Sequence, residues 1–135
     1  MAVEFVDSNV LVYAFTRDNR AIAARALLQR KPVISVQSLN EFANVARRKL
    51  GMSWSEIRES IGVIRSVCPT VLDLTLATHE VALRISERHG YRIFDALIVA
   101  SALQATSETL WSEDMQDGMV IDGRLRIANP FRKES

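Results

Sequence analysis

The sequence predicts an α/β domain built on a mainly parallel central sheet of about four to five strands. Three observations carry that expectation. Short β-branched and aromatic runs recur along the chain with helical stretches between them, the alternation that crossover helices impose on a parallel sheet. The first run, Val3 to Val6, is apolar on both faces, as a strand covered on both sides should be. The stretch from Phe94 to Ala105 is Ala-rich and apolar almost all round, which marks a buried helix.

The elements follow in order. The first strand ends at Asp7, and a short helix runs through Val10 to Phe15. Arg17-Asp18-Asn19 breaks the chain and offers Asp18 or Asn19 as a cap for a helix over Ala21 to Arg30, stopped by Pro32. Val33-Ile34-Ser35 reads as the second strand. Ser35 or Ser38 caps the next helix, whose last turn carries Arg47-Arg48-Lys49 and whose stop is Gly51. Ser53-Trp54-Ser55-Glu56 is a capping box ahead of a helix to Val67, with Pro69 beyond it. Thr70 to Leu74 reads as a third strand. Thr75 caps a helix to about His89, ended by Gly90, and Thr109 to Trp111 is a fourth strand. Val120-Ile121 and Arg126 to Ala128 form short late strands, and Arg132 to Ser135 reads as a frayed tail.

Composition narrows the function classes. The 135 residues suit one domain with a sizeable core, and 48% hydrophobic content excludes a disordered chain. The 17 Lys and Arg nearly balance the 16 Asp and Glu, so net charge alone neither predicts nor excludes a nucleic-acid partner. The single cysteine, Cys68, excludes an intramolecular disulfide and a Cys-rich zinc site, and it fits a reducing compartment. No basic leader and no run of about 20 apolar residues is present, so the expectation is a soluble, cytoplasmic domain with no membrane partner.

In parallel sheets, ligands bind beyond the carboxyl ends of the strands. Asp7 directly follows the first strand, and Asp114 follows the fourth after two residues. Glu41 lies in the first turns of the helix after the second strand, and Asp95 is the only charge in the apolar helix. All four can reach one end of the sheet. Carboxylates at contact range repel by about 4 kcal/mol per pair at an effective dielectric near 20, and a divalent cation removes that repulsion. Oxygen-only ligands select Mg²⁺ or Mn²⁺ over zinc. Each acid has a plainer role open to it. Asp7 can cap a helix, Glu41 can be a solvated helix residue, Asp95 can meet a helix dipole, and Asp114 can serve a turn.

These segments resemble the PIN domain family. Val6-Asp7-Ser8-Asn9-Val10-Leu11-Val12-Tyr13 is similar to its opening, and Leu39-Asn40-Glu41-Phe42 holds an acid where the family has its second. Phe94-Asp95-Ala96-Leu97-Ile98-Val99-Ala100-Ser101-Ala102 is very similar to the helix of the third acid. Leu110-Trp111-Ser112-Glu113-Asp114-Met115 resembles the closing segment, and Ile127-Ala128-Asn129-Pro130-Phe131 the C-terminus. The resemblance covers essentially the whole chain and is strongest to VapC-type toxins of toxin–antitoxin pairs.

It implies a three-layer α/β/α fold and a metal-dependent endoribonuclease, commonly a homodimer held inactive by a VapB-type antitoxin. It implies Asp7, Asp95 and Asp114 as ligands of Mg²⁺ or Mn²⁺, with Glu41 at the metal or positioning the attacking water. Asp117 competes with Asp114 for the place of fourth acid. Ser112 and Asn9 are expected to orient the ligands. A nuclease acting on DNA and a PIN-fold binding module without catalysis are the alternatives.

The remaining residues are weaker signals. His79 and His89 lie ten apart, not at a ligand-pair spacing, and Cys68 reads as a small buried hydrophobe. Trp54 and Trp111 read as packing residues. Arg17, Arg20, Arg47, Arg48, Lys49, Arg88 and Arg92 could form a phosphate-binding rim. A phospho-receiver domain shares the length and the acidic Mg²⁺ pocket. It needs an acid pair after the first strand and a Lys after a late strand, whereas Asp7 stands alone and the only late Lys is Lys133.

Overall fold

The computed structural model describes residues 2–132. In chain order the elements are β1 (Glu4–Val6), α1 (Ser8–Tyr13), α2 (Arg20–Leu28), β2 (Ile34–Ser35), α3 (Val36–Arg48) and α4 (Trp54–Val67). They continue as β3 (Val71–Leu72), α5 (Leu76–His89), α6 (Ile93–Gln104), β4 (Thr109–Trp111), β5 (Val120–Ile121) and β6 (Leu125–Ala128). Of the expected tail, residues 133–135 lie outside the described residues, and Arg132 pairs with Asp117.

The central sheet has the order β1-β4-β6-β5. β1, β4 and β6 run parallel, with Val6 opposite Trp111 and Trp111 opposite Ala128. β2 and β3 form a separate parallel pair, joined to β1 by a single bridge between Phe5 and Val33. The sheet is therefore four-stranded and mainly parallel. One late strand departs from the parallel pattern: β5 pairs antiparallel with β6. Asp122 and Gly123, both at positive φ, turn the chain between them, the backbone that an Asp-Gly hairpin turn requires. The third strand is shorter than the Thr70 to Leu74 run, because its partner among the described residues, β2, offers two residues.

Strand alternation divides the core into two layers. Phe5 and Leu110 face one layer with Ile98, Val99 and Ile127, while Val6 and Trp111 face the other with Leu11, Ile34 and Phe42. α5 and α6 cover the first layer, and α1 to α4 cover the second. α6 is buried along most of its length, as its composition requires, and each fully buried Ile, Val or Leu contributes about 1.5–3 kcal/mol. Three helices start on reciprocal capping boxes, Ser35 with Ser38, Ser53 with Glu56 and Thr75 with Thr78. Gly90 closes α5 in the left-handed conformation.

The packing readings of the tryptophans divide. Trp111 is half-buried and its indole N–H donates to Glu4 Oε2 at 2.6 Å. Trp54 is instead exposed, with the Arg47 guanidinium 5.2 Å from its ring centre. Cys68 is fully buried, and burial pushes its thiol up to about 11.

Candidate active site

The parallel pairing of β1 and β4 brings the ends of both strands together. The Asp7 amide donates to the Trp111 carbonyl at 2.9 Å, so Asp7 and the segment from Ser112 to Asp114 leave the sheet side by side. Asp7 is 3% exposed and does two jobs at once. Its Oδ1 accepts the Ser8 amide at 2.6 Å as the N-cap of α1, and its Oδ2 accepts the Ser112 hydroxyl at 2.7 Å. The capping role therefore exists without excluding a second one.

Asn9 links the two acids. Its side-chain N–H₂ lies 3.3 Å from Asp7 Oδ2 and 3.2 Å from Asp114 Oδ2, and its Oδ1 accepts the Glu113 amide. Glu113 is itself held from the other side, taking the Tyr13 hydroxyl at 2.7 Å and Arg20 Nε at 2.7 Å. Arg20 also stacks over the Tyr13 ring at 4.8 Å. Asp117 sits in a different setting. Its carboxylate accepts the Asn129 amide and Arg132, and these contacts hold it below the usual carboxylate range.

α3 and α6 touch beside β2, and their facing residues form a cleft of about 450 Å³ in which Glu41 and Asp95 both stand. Burial pushes the Glu41 carboxyl up to about 7, and the charges of Asp7 and Asp95 add to the shift. Glu41 Oε1 is buried without a hydrogen-bond partner. Asp7 is raised to about 6 by burial and then by Asp95 and Asp114, against the lowering effect of Ser112 and Ser8. Asp95 is raised by burial and by Asp114, with Arg92 opposing. The N-cap of α6 is Arg92, with no side-chain cap bond, and Asp95 lies in the first turn.

Asp7 thus feels the charges of Asp95 and Asp114, Glu41 those of Asp7 and Asp95, and Asp95 that of Asp114. Among the described residues, no three His, Cys, Asp or Glu side chains converge closely enough to hold a metal ion as they stand. The donor set still fits a hard cation: it is carboxylate only, with a buried unpartnered oxygen at Glu41 and a buried carboxyl at Asp7. Mg²⁺ keeps several waters and takes only one or two carboxylates directly, so wider spacing suits it.

The chain matches the PIN domain family model over residues 5–116. The chain belongs to the PIN domain family. Comparison with curated protein sequences returns no match. Solved structures share the fold. VapC20 of Mycobacterium tuberculosis, described as a Sarcin-Ricin loop cleaving toxin, is 22% identical with a TM-score of 0.69, over 82% of this chain and 89% of that one. A chain of a toxin–antitoxin complex from Klebsiella pneumoniae is 17% identical with a TM-score of 0.73, over 96% and 99%. A chain of VapBC2 from Rickettsia felis, bound to a DNA fragment from its promoter, is 18% identical with a TM-score of 0.68, over 94% and 98%.

Several placements escaped the sequence. On α3 of this PIN domain, Gln37, Asn40, Glu41 and Asn44 line the cleft together. Their spacing of three, one and three is a polar helical stripe, a signal open to reading in advance. Three of the seven expected rim cations, Arg20, Arg47 and Arg88, are engaged elsewhere. Arg88 and Arg84 pair with Asp122, Arg20 with Glu113, and Arg47 lies over Trp54. Arg92 alone of that set lines the acidic cleft.

Proposed function

We propose that this PIN domain is a metal-dependent endoribonuclease acting as the toxin of a type II toxin–antitoxin pair. The observation that carries the reading is that Asn9 bridges Asp7 and Asp114 while Glu41 and Asp95 stand together in one cleft. Asp7, Asp95 and Asp114 would hold Mg²⁺ or Mn²⁺. When bound, such a cation supplies charge neutralisation at the phosphate and a more acidic water. Glu41 would take the proton of the attacking water, and the burial that raises its carboxyl favours that uptake. Ser112 and Asn9 fix the orientation of Asp7 and Asp114. No side chain is required as a covalent nucleophile.

The choice of RNA rests on the resemblance to VapC toxins and on the structural neighbour VapC20, a Sarcin-Ricin loop cleaving toxin. The antitoxin reading rests on the neighbours described as toxin–antitoxin complexes. A VapB-type antitoxin inhibits by placing an Arg or Lys against the four carboxylates, where a charge-assisted bond is strongest. The active form is a homodimer in the cytoplasm. The test is a cleavage assay on RNA and on DNA of the same sequence, with Mg²⁺, with Mn²⁺ and after exhaustive chelation. Cleavage of the RNA alone, lost on chelation and restored by either cation, is expected. Activity that survives chelation, or cutting of DNA in preference to RNA, overturns the reading.

A further inference from the structure

Phe94 stands out on α6. The helix is otherwise a core element, yet this large aromatic is 53% exposed and lines the same cleft as Glu41 and Asp95. The rest of that wall is polar. Asn40 and Asn44 present exposed carboxamides from α3, and Arg92 brings an exposed guanidinium from the start of α6. An aromatic face, carboxamides and an arginine beside carboxylates are the groups that bind a single-stranded nucleic acid. Unpaired bases stack on aromatic rings, amides read base edges, and Arg takes phosphate.

We infer that Phe94 is a stacking platform for one unpaired RNA base next to the scissile phosphate, with Arg92 on the neighbouring phosphate. The inference deepens the endoribonuclease reading and rests on it. It follows that the substrate is cut in single-stranded or looped RNA, because a paired base cannot reach the ring. Asn40 and Asn44 give the platform its base preference, since their amides both donate and accept.

The experiment uses a short single-stranded RNA that the full chain cleaves, with one 2-aminopurine moved through the positions flanking the cut. Stacking quenches that base. Wild type is compared with Phe94→Ala, Phe94→Leu and Phe94→Trp. Leu keeps apolar bulk and removes the π-face, and Trp restores it. Quenching at one position is expected in wild type and Phe94→Trp and absent in the other two. KM rises about 5- to 160-fold in Phe94→Ala and Phe94→Leu, the range that loss of one base–aromatic stack spans, while kcat changes by no more than about threefold. Thermal melting reports whether each variant is folded, and an exposed ring predicts unchanged melting. Phe94→Leu matching wild type in KM overturns the inference, as does a loss confined to kcat. It is overturned equally if Phe94→Ala splits a dimer and leaves RNA binding intact, because the ring is then a protein contact. A wild type that neither binds nor cuts RNA instead removes the endoribonuclease reading itself.

Discussion

Ser112 Oγ donates a 2.7 Å hydrogen bond to Asp7 Oδ2, and both residues are buried. The bond ties the end of β4 to the end of β1 and lowers the carboxyl that burial has raised. Ser112→Ala leaves that oxygen short of a donor. Destabilisation by about 1–3 kcal/mol is expected, measured by urea unfolding. Cleavage falls by about 10- to 100-fold, as for other groups that orient a metal ligand. Unchanged stability and rate in Ser112→Ala would remove this contact from the account.

The fourth acid can be assigned by substitution. Asp114 shares Asn9 with Asp7, whereas Asp117 is occupied by Asn129 and Arg132. Asp114→Asn is expected to lower RNA cleavage by roughly 100-fold or more, the loss of charge at a metal being felt directly. Asp117→Asn keeps the rate within about threefold and melts close to wild type, as befits an exposed surface pair. The reverse ranking would move the fourth acid to Asp117.

Much of this was legible from local pattern. The capping box at Ser53, the cap at Thr75, the stop at Gly90 and the buried α6 are set by nearest neighbours, and they stand where the sequence puts them. Asp7 at a strand end was equally readable. What escaped depends on distant partners. The antiparallel direction of β5 follows from its pairing with β6, although its Asp-Gly turn was visible. Arg88 leaves the expected rim because Asp122, far along the chain, sits beside it. Trp54 reads as core by residue type, but it opens α4 on a face that Arg47 covers instead.

The pH dependence has a defined sign. Asp7, at about 6, and Glu41, at about 7, both bind their protons more tightly in the fold than in the unfolded chain. The stability they contribute is complete below about pH 4 and is lost as pH rises through 6 and 7. For the nearly fully buried Asp7 the loss is on the order of 3 kcal/mol. Glu56, Asp117 and Asp122 are shifted downward, so their contribution is lost only as pH falls into the acid range. Cation-free protein is therefore expected to melt higher at pH 5 than at pH 8, with a shallower slope in Glu41→Gln. Melts in chelator across that range decide it, and a Tm that climbs from pH 5 to 8 would contradict the assignment.

Asp95→Asn separates a metal ligand from a helix-dipole partner. Removing one of several mutually repelling charges leaves the cation-free fold as stable as wild type or more so. Saturating Mg²⁺ at 100 times its Kd stabilises wild type by about 2.7 kcal/mol through mass action, and the variant much less. RNA cleavage drops by orders of magnitude. Equal Mg²⁺-induced shifts in Tm together with full activity would make Asp95 purely structural.

The central claim is that four carboxylates, at the exit of β1, on α3, on α6 and at the exit of β4, share a divalent-cation site. Anomalous diffraction from crystals soaked in Mn²⁺ tests it most directly, because the ion locates itself without any assumption about substrate. The account predicts a peak at the sheet end, with Asp7, Asp95 and Asp114 bound to it directly or through one water, and Glu41 facing the same ion. Saturating Mn²⁺ that leaves no peak beside these carboxylates, or a peak held by Asp117 instead, would contradict it.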